Sequence, residues 1–424
     1  MIKITRRDTL ALGAGLLAAP LITRSASAQE VRIGFLSSQR AGAFDAVIAA
    51  FETANPGIKV QAQHVPFDQL NAQIQARLGA GDASIDVFTV DSPRVPAYAH
   101  KGFLADLTAM RGEIEAAVAP AAFAGSSFDS KLWTFPFWTT SQFLFYNVDL
   151  LKKAGLAAPD TDPAKRLTWE DLLNDARITQ KAGAKWGFAF DQNDRYYELQ
   201  PLYESRGFGP GLSGEGLLTP ALTSDGWVKT TEWYRDLYAS GLAPRGVAYE
   251  QMPALFSSGQ VAYMVAGVWH ARVFRIAKEL NFGIAPMPCF AGGKPVTPTG
   301  SWTIGVNPKG GQKDAALKFA KFLTLDSNGA LLASTIAPQP PVNKAAFEAY
   351  LKRESEAGGA NTAAFAKIIS HELANTTVSR PRTIGYVVFE EIMNRMYSDI
   401  RNGAEAKPSL ERAQTALVAA FSRL

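Results

Sequence analysis

The stretch VRIGFLSSQRAGAFDAVIAAFETANPGIKVQAQHVPFDQLNAQIQARLGAGDASIDVFTVDSP, residues 31–93, decides the fold. Val31 to Leu36 reads as a buried strand. Ala43 to Thr53 reads as a helix that ends at Asn55-Pro56-Gly57, because proline and glycine cannot carry it further. Ile58 to Val65 is a second strand. Leu70, Ile74 and Leu78 then recur four apart, the spacing of one helical face. Ile85 to Val90 is a third strand, closed by Asp91-Ser92-Pro93. This βαβαβ alternation is that of a doubly wound α/β sheet.

The same rhythm returns further on. Phe143 to Tyr146 and Val261 to Val265 read as strands. Thr168 to Lys181 reads as a helix with Thr168 as N-cap and Asp171 three residues on. Trp227, Thr231, Tyr234 and Tyr238 share one helical face, stopped by Gly241 and Pro244. Ala315 to Leu323 is a helix, and two more close the chain, near Thr383 to Asn402 and Pro408 to Arg423, with Pro408 suited to a first helical position. A chain of 424 residues exceeds one ordinary core, and no repeat or flexible linker divides it. Two α/β lobes joined by several chain crossings are therefore expected.

Residues 1–28 read as an export signal rather than as part of the fold. Lys3, Arg6 and Arg7 form a basic head, and Leu10 to Ile22 is an uncharged apolar run. Ala26-Ser27-Ala28 supplies a cleavage site before Gln29. The run of 13 residues falls short of the roughly 20 that span a bilayer. Thr5-Arg6-Arg7-Asp8-Thr9-Leu10 is similar to a twin-arginine signal, departing from it at Thr9. An exported, soluble, periplasmic protein is expected.

Without those residues, which hold four basic side chains and Asp8, the chain has 39 basic and 38 acidic residues, a net charge of +1. The basic balance thus belongs mostly to the signal and gives no support to a nucleic-acid partner. Cys289 is the only cysteine, which excludes an intrachain disulfide. His64, His100, His270 and His371 are scattered with no zinc-binding spacing, and neither a nucleophile elbow nor a phosphate loop occurs. Neither a metal nor a cofactor is expected, and no catalysis. A glycosidase pair of carboxylates assembled by folding stays open as the enzymatic alternative.

Several patterns in order resemble the extracellular solute-binding proteins of sugar ABC importers, the maltose-binding-protein-like family. They are Phe51 to Val60; Asp86 to Asp91 with Tyr98 and Gly102 to Leu107; Phe135-Pro136 with Tyr146 to Leu151, Ala154 to Leu156 and Thr168 to Leu172; Phe256 to Met264 with Gly267 and Trp269; and Gly300 to Val306. The resemblance covers essentially the whole mature chain. It implies a type II periplasmic binding protein: two α/β lobes, three hinge crossings and a ligand cleft between them. The expected N-terminal lobe comprises residues 29–137 and 283–340, and the C-terminal lobe 138–282 and 341–424. The implied partners are a carbohydrate and the permease subunits of an importer at the inner membrane, with the protein a monomer.

A sugar site needs aromatic rings for the C–H face of the pyranose and carboxylates, amides or arginine for its hydroxyl rim. Trp269 is the first candidate. It follows an apolar strand and Gly267, at a sheet end where α/β proteins bind ligands, and the family stacks a tryptophan there. Asp91 ends a strand and either accepts sugar hydroxyls or caps the segment from Pro93. Gln39 lies in the first strand-to-helix loop, as a cleft residue or an ordinary loop amide. Trp138 and Thr140 fall at an expected crossing, where Trp138 lines the cleft or plugs the hinge. Tyr196 stands where the family offers a stacking tyrosine, or in the core; Tyr196-Tyr197 is also similar to the paired tyrosines of ferric-ion binders. Ser301 and Trp302 lie at the next crossing, and Arg380 and Arg382 flank Pro381 before a long helix. Together with Arg40, these arginines motivate an anionic sugar or sugar phosphate as the alternative ligand.

Overall fold

The computed structural model describes residues 30–424 except 40, 301, 337, 358 and 360–362. The expected export signal and its cleavage site lie outside the described residues. Two sheets organise the rest. In the first, Ile58–His64, Val31–Ser37 and Val87–Asp91 run parallel in that order. Trp302–Val306 then pairs antiparallel with Val87–Asp91, and Thr134–Trp138 pairs antiparallel with Trp302–Val306. The second sheet has the order Phe282–Pro286, Gln142–Asn147, Val261–Gly267, Trp186–Phe190. Gln142–Asn147 is antiparallel to both its neighbours.

Each sheet is apolar on both faces because helices cover both. In the first lobe, Phe35, Val47, Phe51 and Phe319 fill one face, and Leu70, Ile74, Phe88 and Tyr98 the other. Gly34 is the close-approach glycine of that sheet: a Cβ there would stand 1.8 Å from the Ser84 carbonyl oxygen. In the second lobe, Trp169, Phe188, Trp227 and Tyr397 pack on one face, and Phe143, Phe145, Phe256 and Phe274 on the other. The helix Trp169–Lys181 is capped by Thr168, whose Oγ1 accepts from the Asp171 N–H at 3.0 Å. Trp227, Thr231, Tyr234 and Tyr238 form the buried stripe of the helix Asp225–Ala239. The last helix begins at Ala406, so Pro408 occupies its third position, still within the first turn where a missing N–H removes no helical bond.

The lobe boundaries differ from those expected. Thr134–Trp138 belongs wholly to the first sheet, so the first crossing comes at Thr139–Ser141. Residue 283 falls inside Phe282–Pro286, a strand of the second sheet. The chain returns only around Gly300, before Trp302–Val306. The third crossing follows Asn343: the Val342 N–H still donates to the Phe137 carbonyl and Asn343 Nδ2 to that of Leu325. Strand pairing fixes these points, and neither composition nor periodicity marks them.

Candidate functional site

A cleft of about 360 Å³ opens where the two sheets face each other. Its first wall comes from the helix Phe67–Gly79 (Phe67, Asp68, Asn71, Gln75), from the strand end at Asp91 and from Trp302. The opposite wall comes from Gln192, Arg195, Tyr197, Trp269 and the helix Tyr386–Arg401, which contributes Glu390, Glu391 and Asn394.

Trp269 stands in a single helical turn, Val268–His270, immediately after the strand Val261–Gly267. Its indole lies over Gly267: a Cβ on that glycine would sit 2.1 Å from the ring. The turn is braced from behind, where His270 Nε2 lies 2.9 Å from Asp191 Oδ2 and the imidazole stacks on Phe274. Tyr197 flanks the indole with ring centroids 6.2 Å apart. The Trp269 Nε1–H is buried and meets no acceptor among the described residues. On the first wall Trp302 and Phe67 meet edge to face at 6.0 Å. Both walls thus present aromatic surface.

The cleft floor is a buried ion network that joins the lobes. Arg380, from the second lobe, donates from Nη1 to Asp91 Oδ2 at 2.7 Å and from Nη2 to Asp91 Oδ1. Arg94 reaches Asp91 and, across the interface, Glu390, whose Oε1 also accepts from the Tyr386 hydroxyl at 2.9 Å. Two cations face two anions, as burial of charge requires. Burial works against the Arg94 and Arg380 charges, but the carboxylates of Glu390 and Asp91 outweigh it and raise both guanidinium pKa values. Arg380 also lies over the Tyr197 ring, 4.8 Å from its centroid. Burial pushes the Tyr197 phenol well above its ordinary pKa, so it remains a neutral hydroxyl, 3.0 Å from Thr140 Oγ1.

Of the expected residues, Asp91, Thr140, Trp269, Trp302 and Arg380 line this cleft. Asp91 does not cap a helix through its side chain; its oxygens are engaged by the arginines. Thr140 is a hinge residue, accepting from the Gly300 N–H at 2.6 Å and donating to its carbonyl at 2.8 Å. Four candidates lie outside the cleft lining. Tyr196 is fully buried in the second-lobe core, its hydroxyl on the Pro210 carbonyl, because the next helical position, Tyr197, takes the cleft side. The two tyrosines therefore do not form a pair. Trp138 is fully buried and stacks on Phe137 at 4.0 Å and on Phe44, so it plugs the hinge. Gln39 does not line the cleft; its N–H donates to Ser37 Oγ within its own loop. Arg382 instead donates to the carbonyls of Ala124 and Ser127 on the first lobe. Ser301 and Arg40 lie outside the described residues. Phe67, Gln192 and Asn394 went unnoticed in the sequence, being separated by long stretches of chain with no local signature, and Tyr197 was marked only as the neighbour of Tyr196.

Among the described residues, no group of three His, Cys, Asp or Glu side chains could hold a metal ion, and no helix is long and apolar enough to cross a membrane. Two α/β lobes that share three crossings and enclose an aromatic-walled cleft define a ligand-binding protein of the type II periplasmic binding class. The chain belongs to the bacterial extracellular solute-binding protein family, whose model matches residues 37–330. A galactooligosaccharide-binding protein of Bacillus subtilis is 25% identical over 289 residues, 66% of this chain and 65% of its own. A mannitol-binding protein of Pseudomonas aeruginosa is 24% identical over 365 residues, 80% and 79% of the two chains. An ABC substrate-binding protein from Listeria monocytogenes, in complex with cycloalternan, has the same fold with a TM-score of 0.81 at 22% identity, covering 93% of this chain and 99% of that one. The family and these neighbours are binding proteins, not enzymes.

Proposed function

We propose that this protein captures a neutral carbohydrate between its lobes outside the inner membrane and hands it to the permease of an ABC-type importer. The observation that carries this reading is the aromatic surface on both walls, Trp269 and Tyr197 against Trp302 and Phe67, with Asn71, Gln75, Gln192 and Asn394 between them. Rings of this kind cover the C–H face of a sugar, and amides serve its hydroxyl rim. The relatives named for galactooligosaccharide and mannitol support the ligand class.

A neutral ligand is favoured over an anionic one because the described arginines that line the cleft, Arg94, Arg195 and Arg380, are already paired with carboxylates. Arg380 and Arg94 face Asp91 and Glu390, and Arg382 faces backbone carbonyls. The same pairing disfavours glycoside hydrolysis, since Asp91 and Glu390 hold arginines rather than a sugar oxygen or a water. The export signal in residues 1–28 supports a periplasmic site of action, and the protein acts as a monomer. Ligand contact with both walls stabilises the closed arrangement and presents it to the permease. A thermal-shift screen of the mature protein against a saccharide library tests the reading, because a ligand raises the midpoint by mass action. A rise with at least one neutral saccharide is expected. No shift with any sugar, alongside a shift with anionic metabolites, would overturn it.

A further inference from the structure

We propose that the ion pair between Arg195 and Asp68 is a length filter that favours a short saccharide of about one or two rings over a longer chain. The proposal rests on the carbohydrate reading above and adds the size class of the ligand.

The pair crosses from lobe to lobe. Asp68 stands in the first turn of the helix Phe67–Gly79, on the first wall. Arg195 immediately precedes the helix Tyr196–Ser205, on the second. Arg195 Nη2 lies 2.5 Å from Asp68 Oδ1, and both residues line the cleft. Exposure locates the pair at the mouth: the Arg195 and Asp68 side chains are 24% and 43% exposed. At the floor, Arg380 and Asp91 are only 5% and 4% exposed. The cavity is thus bridged at both depths, below by the buried network and above by this pair. The cleft volume of about 360 Å³ lies near the lower end of the range of roughly 300–1,000 Å³ typical of small-molecule sites.

A saccharide that extends outward from the aromatic walls meets the pair at the mouth, where Arg195 and Asp68 span the two lobes. A longer chain must therefore part Arg195 from Asp68 before both walls can close on its first rings. A short sugar leaves the pair in place and closes with it. Arg195 Nε lies 3.9 Å from Asp194 Oδ1, which braces the guanidinium from its own lobe while Nη2 holds Asp68. The pair is partly exposed, so the penalty on long ligands is modest, a factor of about five.

Calorimetric titration with matched mono-, di- and linear pentasaccharides of the glucose, galactose and mannose configurations tests this. The proteins are wild type, Asp68→Ala with Arg195→Ala, and the exchange Asp68→Arg with Arg195→Asp. Thermal midpoints verify that each is folded, and Asp68→Asn serves as a shape-conserving variant. Wild type should prefer the short ligand by up to about fivefold, the double alanine variant should lose that preference, and the exchange should restore part of it. A wild-type protein that binds pentasaccharide as tightly as the short ligand overturns the filter. So does a preference that the folded double alanine variant retains. If short sugars bind and either result appears, only the filter falls. If no saccharide of the series binds wild type, the carbohydrate reading falls with it.

Discussion

At the scale of single residues, Trp269 should dominate affinity. Its indole is half-buried, held by Gly267 beneath and Tyr197 beside it, so little conformational entropy is lost when a sugar stacks on it. Trp269→Ala should weaken saccharide binding by about 2 kcal/mol, the scale of an aromatic hot spot, while the thermal midpoint of the free protein barely changes. Titration calorimetry and melting of the same preparation check both halves. Trp269 was legible in the sequence because the apolar strand and Gly267 before it mark a sheet end. Tyr197 was not, since its neighbour Tyr196 carries the same letter and only the helix phase, about 100° per residue, decides which ring faces the cleft. Asp91 was legible as a strand-end carboxylate. Its engagement by Arg380, 289 positions away, is a property of the lobe interface and leaves no local trace.

At the scale of elements, the turn that carries Trp269 can be tested without touching a ligand-facing atom. A methyl on Gly267 would overlap the indole, with ring atoms at 2.1–2.3 Å, so Gly267→Ala must tilt Trp269 away from its place. The expected outcome is a loss of saccharide affinity approaching that of Trp269→Ala, read by calorimetry. Tryptophan fluorescence should change even without sugar. Behind the same turn lies a buried acid pair. The Glu198 carboxyl accepts from the Asp191 and Gln192 N–H groups and from Gln142 Nε2, yet burial, then the Asp191 charge, pushes its pKa well above the usual carboxylate range. An acid with a raised folded pKa binds its proton more tightly folded than unfolded. Its stabilising contribution is full below the unfolded value of 4.5 and is lost as pH rises through the folded value. The wild-type thermal midpoint should therefore fall more steeply from mildly acidic to alkaline pH than that of Glu198→Gln. Parallel slopes for the two proteins would contradict this. Such elements were legible wherever one face is apolar, as in Asp225–Ala239 and Trp169–Lys181. The antiparallel insertion of Trp302–Val306 into an otherwise parallel run was not, because a buried strand reads the same in either direction.

At the scale of the whole molecule, the proposed capture rests on the balance between separated and apposed lobes, and Arg382 bears directly on it. Its guanidinium reaches from the second lobe to the Ala124 and Ser127 carbonyls at the end of the helix Pro120–Ser126 on the first. It does not line the cleft, so it can change affinity only through the lobe equilibrium. Charged hydrogen bonds of this kind contribute about 1.5–3 kcal/mol each at most, and water recovers part of that when the lobes part. Arg382→Ala should then lower the apposed population, and apparent affinity falls by the same fraction, because a ligand that needs the apposed lobes binds only the competent molecules. The expected loss is about tenfold for every saccharide that binds, irrespective of its length or configuration. The scattering radius of the unliganded variant should exceed that of wild type, and saturating sugar should bring the two together. Arg382→Lys should recover only part of the affinity, since one ammonium cannot hold two diverging carbonyls as a planar fork does. A loss that differs between short and long ligands would place Arg382 in the ligand contact instead. An unchanged affinity with an unchanged radius would mean that these two hydrogen bonds leave the lobe balance where it was.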